Sequence, residues 1–287
     1  MTRLLRTLCA SMGLIGLVLI GCFTPVRAAS IRQQRESLEL SLLVSGSIII
    51  NPDGSLRSYQ INDASKLPPS ILTLIARSAA HWRFEPVIRN GRAVAAKSAV
   101  TLRIVARQEP GNRYQLSIRG AQFGGDSSKD FASYHRVVPH YPFVPELAGF
   151  QAETYMALRI NREGKVVDVA ATQVNLGEIG PPHLMAYARK RFTEASIEAC
   201  RQWTFKIAKG SHPSFEGYWI VLVPIDYEPY PGKSNEPAWQ TYVPGQQQFV
   251  PWLPHQAVAA SDIDAMSGSG IYDPQTALTL AAKLNRG

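Results

Sequence analysis

The segment LELSLLVSGSIIINPDGSLRSYQI, residues 38–61, contains the pattern that decides the fold. Apolar and polar residues alternate on both sides of the turn sequence at 51–55, which is the period of a strand with one buried face. The turn is tight because proline fixes its own φ and glycine adopts a left-handed conformation at little cost. We therefore predict two antiparallel strands joined by a turn that contains Gly54.

A helix and a third strand complete this unit. Two prolines at 68–69 interrupt the strand pattern, and the apolar residues between 72 and 82 then recur at helical spacing. The dipeptide Glu85-Pro86 ends the helix, because the residue before a proline avoids helical backbone angles. Residues 94–107 alternate again as a long strand. The predicted order is strand, strand, helix, strand.

The same order recurs later in the chain. Residues 152–160 alternate into a turn that contains Gly164, a second strand and a helix follow, and residues 217–227 close the unit. Such self-similarity indicates an internal duplication. We predict an α+β fold with two β-β-α-β modules, each a three-stranded antiparallel sheet with one packed helix. The core residues expected where helix meets sheet are Trp82, Phe84, Trp203 and Phe205.

The segments between and after the modules differ in composition. Residues 120–125 are rich in glycine, and residues 229–254 interleave prolines with aromatic side chains, as in an extended segment laid over an apolar surface. Asp273-Pro274 is typical of a helix start. The predicted segments are a signal peptide at 1–28, a first module at 29–119, a linker at 120–138, a second module at 139–228, and a strap with a short C-terminal helix at 229–287.

The first 28 residues predict export. A basic start is followed by an uncharged apolar run at 8–23 and by small residues up to Ala28, the expected cleavage position. A second interpretation is a lipobox at 19–22, in which Cys22 becomes the lipidated first residue. Both place the mature protein in the periplasm of a Gram-negative bacterium, soluble or lipid-anchored. Cleavage after Ala28 leaves only Cys200, which cannot form a disulfide within the chain.

A family resemblance rests on the repeated motif. Asp53-Gly54, a proline-containing break, an amphipathic helix and then Trp-Arg-Phe-Glu-Pro at 82–86 resemble the carboxy-terminal domain of TonB, the periplasmic energy transducer. Glu163-Gly164 and Trp203-Thr204-Phe205 resemble the same pattern, with Lys206-Ile207 in place of Glu-Pro. The resemblance covers about 40–107 and 139–228. The proline- and lysine-rich spacer of TonB proteins has no counterpart before the first strand, so the resemblance implies a non-energised adaptor.

The resemblance also implies a mode of binding. The TonB domain pairs its last strand with an extended peptide, and backbone hydrogen bonds supply the affinity. The implied partner is an envelope protein, for instance one like an outer-membrane receptor. The implied partner-accepting residues are Val94, Val100, Leu102 and Ile104 in the first module and Tyr218, Ile220 and Leu222 in the second. The alternative is that the modules cover each other's edges, or that the strap covers them.

Charge and chemistry restrict the other function classes. The formal net charge is +8, and the basic surplus lies in the first half of the chain. Outside the cytoplasm such a surplus favours acidic surfaces, such as lipid headgroups or cell-wall polymers, and disfavours nucleic acid. A structural role at the cell wall or outer membrane is therefore a second interpretation of the function. The sequence does not indicate an oligomeric state.

The sequence contains no catalytic or cofactor motif. The six histidines are scattered, and none stands beside a serine or cysteine in a nucleophile motif. His135 and His140 have no third ligand nearby, so we predict no metal, no cofactor and no enzyme. The remaining enzyme hypothesis is a site formed between the modules, which requires a polar pocket at their junction.

Overall fold

The computed structural model describes residues 39–109, 111, 113–143, 146, 148–213, 216–228, 238–254, 262–266, 268, 270–281 and 284. The predicted signal peptide, with Cys22 and Ala28, lies outside these residues. None of the helices that the structure describes has the length and apolar character needed to span a bilayer.

Antiparallel strands are the main secondary structure of the described chain, which also contains two α-helices. The helices are α1 (Pro69–Ala79) and α2 (Pro182–Cys200). The strands of the first half are β1 (Glu39–Ile50), β2 (Leu56–Ile61), β3 (Val87–Arg89), β4 (Arg92–Val94), β5 (Ala96–Glu109) and β6 (Arg113–Gln122). Those that follow are β7 (Phe131–His135), β8 (Ala152–Ile160), β9 (Val166–Leu176), β10 (Thr204–Ile207), β11 (Trp219–Tyr227) and β12 (Gln240–Tyr242).

The first sheet has five strands in the order β12-β1-β5-β6, with β2 pairing to the end of β1 beyond β12. Strand β1 pairs with β5 along its whole length. Alternation places one face of β1 and β5 in a core under α1. The two strands that end this order, β12 and β6, are far apart in the sequence. Strand β12 lies in the segment predicted as a strap, and β6 runs into the predicted linker.

The second sheet has the order β11-β8-β9, and α2 packs on one face of it. Two short ribbons complete the fold, one of β7 with β10 and one of β3 with β4. Phe131 of β7 is fully buried in the second core. Residues predicted as a linker thus contribute a strand and a core side chain.

The predicted fold class, α+β with two small β-β-α-β modules of three strands each, is wrong. The described chain is mainly β, and four strands of its first half join β12 in a curled five-stranded antiparallel sheet. The order strand, strand, helix, strand does recur along the chain. However, β6 and β12 add to the first sheet, because their backbone donors and acceptors find partners on β5 and β1.

The two turn glycines occupy equivalent positions. Gly54 has φ +80° and Gly164 has φ +77°, a conformation that disfavours other residues. A Cβ atom at Gly54 would overlap the carbonyl oxygen of Phe84, and one at Gly164 that of Phe205. The amide of Phe84 donates to Gly54 O at 2.8 Å, and that of Phe205 to Gly164 O at 2.7 Å.

Each half has its own tryptophan in the core. Trp82 and Trp203 are each 1% exposed, in the first and second core respectively. A third apolar cluster lies on the opposite face of the second sheet. The C-terminal segment, which is the described part of residues 238–284, covers it. The members of this cluster are Tyr155, Ala157, Ile220, Leu222, Val250, Leu253, Ile263, Met266 and Tyr272.

The described part of the C-terminal segment runs across both halves. After β12, Val243 bridges to Leu176. Residues 274–276 form a turn, and Leu280 bridges to Phe84. The predicted C-terminal helix is therefore wrong for residues 273–281, because their backbone groups bond to the first half instead.

Candidate functional site

The first predicted partner edge lies inside a sheet. Val100, Leu102 and Ile104 of β5 are buried, and β5 pairs with β1 on one side and β6 on the other. Val94 pairs with Val87 in the short β3–β4 ribbon. The prediction of a partner-accepting edge is wrong for residues 101–105, because β6 occupies the side of β5 that a three-stranded sheet would leave open there.

The second predicted edge is partly occupied. Strand β11 is the outer strand of its ladder, but Leu222 exchanges backbone hydrogen bonds of 2.8 and 2.9 Å with Tyr272. Ile220 is buried among residues of the third apolar cluster. The guanidinium of Arg159 stacks on the ring of Tyr218, 4.7 Å from its centroid. The C-terminal segment therefore covers this edge at Leu222, as the alternative interpretation expected.

A polar cluster lies where the two sheets face each other. Arg103, on the face of β5 opposite the first core, is 2% exposed. Its Nε donates to the carbonyl oxygen of Asp264, and its Nη1 donates to Ser41 Oγ at 2.6 Å. Its Nη2 donates to Glu153 Oε2 at 2.7 Å and to Tyr155 Oη at 3.0 Å. All three guanidinium nitrogens thus have partners, drawn from both sheets and from the C-terminal segment.

The environment of the cluster keeps Arg103 charged. Burial by itself would lower the pKa of the guanidinium, but Tyr155, Glu153 and Asp264 raise it, and the net pKa lies above its ordinary value. Burial also raises the pKa of Tyr155 and of Tyr242. These phenols therefore stay neutral at physiological pH and act as hydrogen-bond donors.

Asp264 connects the C-terminal segment to the second sheet. Its Oδ1 accepts hydrogen bonds from Asn175 Nδ2 at 2.9 Å and Gln173 Nε2 at 3.2 Å. Its Oδ2 accepts one from the hydroxyl of Tyr242 at 2.5 Å. Buried polar groups with this degree of satisfaction hold a structure together, because removing any one of them leaves others without partners.

A polar pocket of about 150 Å³ opens beside the cluster. Its lining includes Ser41, Arg103, Glu153, Asn175, Asp226 and Tyr242. Asp226 stands directly opposite Glu153 in the β11–β8 ladder. Although its side chain reaches solvent, partial burial raises the pKa of Asp226 to about 7, and the charges of Glu153 and Glu228 add to this effect. The pocket is the polar space that an enzyme site between the halves would require.

Strand β6 is one open edge of the first sheet, on the side opposite β2 and β12. It ends the strand order, and no strand of the described chain pairs with its outer side between Arg113 and Ile118. Tyr114 is 52% exposed and Leu116 is half-buried against the first core. Backbone groups on such an edge can pair with an added strand.

Metal and thiol chemistry have no support in the described residues. Among them, no group of three or more His, Cys, Asp and Glu side chains is placed to hold a metal ion. His135 pairs through its backbone with Thr204 in the β7–β10 ribbon, and its side chain is exposed. Cys200 is fully buried, and burial raises its pKa to about 12, which disfavours a thiolate nucleophile.

Comparison with models of known protein families, with curated proteins and with solved structures finds no match to this chain.

Sequence reasoning missed both β6 and the polar cluster. A signal for β6 exists, because Tyr114, Leu116 and Ile118 alternate with polar residues as in a half-buried strand. Arg103 and Asp264 are distant in sequence and carry no motif, so only the packing of the two sheets brings them together.

Proposed function

We propose that this protein is a non-catalytic adaptor of the cell envelope that binds an extended segment of a partner protein by strand addition. The observation that carries the proposal is the outer edge of β6, which lies at the end of a five-stranded sheet with no described strand beside it. The resemblance of the 82–86 motif to TonB domains supports the same class of role.

The accepting edge in this proposal is β6 and no longer β5 or β11. Six residues, 113–118, correspond to about 20 Å of strand, which is enough to pair with a short extended peptide. Tyr114 and Leu116 extend the apolar face of the first core towards the edge. A partner strand would therefore carry apolar residues at alternate positions on that face and polar residues on the other.

Proline substitution at neighbouring positions of β6 tests the proposal. Successive backbone amides of a strand point to opposite sides, so Gln115→Pro and Leu116→Pro each remove one donor, one towards β5 and one outwards. One of the two prolines removes an amide that points away from β5. We expect that variant to keep a melting temperature close to that of the wild type and to lose binding. Proline at Arg57 or Ser58 of the other exposed strand, β2, is the matched control.

The binding probe is a fluorescent ten-residue peptide of alternating valine and threonine. The control peptide has the same composition, with all valines in one block and all threonines in another. Anisotropy gives the affinity, and isotope-edited infrared spectroscopy reports whether the bound peptide is a β-strand. Partners captured from envelope extracts should be lost with the same β6 proline. Equal binding of both peptides, or binding that survives proline at both β6 positions, contradicts the proposal.

The junction pocket favours a second candidate function, an acid–base enzyme. The specific observation is that Asp226 and Glu153 stand directly opposite each other and both line this pocket. Burial and the neighbouring carboxylates raise the pKa of Asp226 to about 7. A general acid or base works best when its pKa lies near the working pH. Hydrolysis of a glycoside or amide substrate with a pH profile that has an inflection near 7, abolished by Asp226→Asn, would support this candidate. A proline on β6 should leave such an activity unchanged.

A further inference from the structure

The β3–β4 hairpin projects from the first half of the molecule. Its ladder pairs Val87 with Val94, Ile88 with Ala93 and Arg89 with Arg92. The tip residues Asn90 and Gly91 both have positive φ, 50° and 74°, as a type I′ turn requires. Val87 packs on the first core, so the base of the hairpin is anchored while the tip is exposed.

The tip combines unpaired positive charge with an exposed apolar side chain. Arg89 and Arg92 stand directly opposite each other, an arrangement that costs stability because like charges repel. No acidic side chain of the described chain forms an ion pair with either. On the other face of the ribbon, Ile88 is 60% exposed.

The stretch of chain that contains the hairpin carries a surplus of the same sign of charge. Residues 53–97 contain seven Lys and Arg residues against three Asp and Glu residues. Arg57, Arg77 and Lys97 are all exposed, in β2, α1 and β5 respectively. An anionic partner would be attracted to this part of the molecule and would relieve the repulsion at the tip.

The geometry points to a membrane-docking role: the β3–β4 hairpin binds the surface of a bilayer that contains anionic lipids. Arg89 and Arg92 contact the phosphate groups, and Ile88 enters the boundary between headgroups and acyl chains. A lipid surface fits better than a small anion, because the exposed Ile88 side chain is stabilised when it leaves water for an apolar layer. A bilayer provides such a layer and a small anion does not. This surface is separate from the β6 edge.

Co-sedimentation with vesicles tests the role. The full protein, with its native amino terminus, is mixed with vesicles of phosphatidylcholine alone or with one third phosphatidylglycerol. The test variant is Ile88→Ser, Arg89→Ser, Arg92→Ser. We expect the wild type to bind anionic vesicles preferentially. Replacing the two arginines alone should lower the affinity for these vesicles by roughly 25-fold. Raising the salt concentration should weaken wild-type binding, since it screens exposed charges.

The control variant is Val138→Ser, Arg162→Ser, Lys165→Ser. It removes the same charge and one exposed aliphatic side chain from another part of the surface, where Val138 is 83% exposed. Because all variants share the same amino-terminal segment, the difference between the two triple variants isolates the hairpin. We expect the control to retain most of the binding.

Ile88→Trp distinguishes insertion from charge attraction. On anionic vesicles its fluorescence should shift to the blue relative to the wild type, whereas a soluble anionic polymer such as dextran sulfate should leave the emission unchanged. Equal binding of the two triple variants overturns the proposal. So does an unshifted emission on vesicles that bind the protein, which would assign the patch to soluble polyanions.

Discussion

In the β1–β2 turn and in the β8–β9 turn, one glycine is the point of closest backbone approach. An alanine at Gly54 must adopt a left-handed conformation and also displace the carbonyl of Phe84. Gly91 has a similar φ of +74° but no atom within 4 Å of its missing Cβ, so Gly91→Ala reports the conformational cost alone. We expect Gly91→Ala to cost about 1–2 kcal/mol and Gly54→Ala roughly 3 kcal/mol or more. Urea denaturation measures both, and equal costs would contradict the close approach.

Asp226 should make stability depend on pH. Its pKa of about 7 in the folded protein exceeds the ordinary value of 3.8, so the folded state holds this proton more tightly than the unfolded chain. Its contribution is fully present below about pH 4 and is lost as the pH rises through about 7. The urea concentration at the unfolding midpoint should therefore decrease between about pH 4 and pH 7 in the wild type, and it should decrease less in Asp226→Asn. Glu163→Gln, in an exposed turn, is the control. If the urea midpoints of Asp226→Asn and the wild type change in parallel with pH, the pKa of the Asp226 carboxyl group is not raised.

At the scale of elements, Trp82 joins the end of α1 to the first sheet. Its Nε1 donates to Ser78 Oγ at 3.1 Å, and its ring meets Phe123 edge-on with centroids 5.0 Å apart. Trp82→Ala should cost about 3–5 kcal/mol, because the side chain is large and fully buried. Trp239→Ala should cost less than about 1 kcal/mol, since Trp239 is 37% exposed. Thermal melting compares them, and similar melting temperatures would contradict the assigned packing.

The elements that the sequence predicts are those whose signals are local. The first hairpin, α1, α2 and the buried Trp82 and Trp203 follow from alternation, helical spacing and turn residues within short windows. The sheet edges do not, because strand pairing depends on partners far along the chain: β12 reaches β1, and Leu280 reaches Phe84. The helix signal at Asp273-Pro274 fails for the same reason, since tertiary pairing of the backbone outweighs a local start signal.

At the scale of the whole molecule, the two sheets are joined by buried polar groups and by the C-terminal segment. Arg103 of the first sheet bonds to Glu153 of the second and to the backbone of Asp264 in the C-terminal segment. That segment also pairs with β1 through β12 and with β11 through Tyr272. An arginine in this position couples the stability of the halves, because its loss leaves the Glu153 carboxylate without its cation and leaves Asp264 with Arg119 alone, at 3.7 Å.

Arg103→Ala should therefore separate the unfolding of the two halves. With 5-fluorotryptophan incorporated, ¹⁹F NMR follows Trp82 and Trp203 as independent reporters of the first and second cores. In the wild type we expect both folded signals to disappear at the same urea concentration. In Arg103→Ala we expect a loss of about 3–5 kcal/mol and two different midpoints, since each half then unfolds on its own. Arg113→Ala, an exposed arginine on β6, should change neither midpoint, and coincident, unshifted transitions in Arg103→Ala would mean that the polar cluster does not couple the halves.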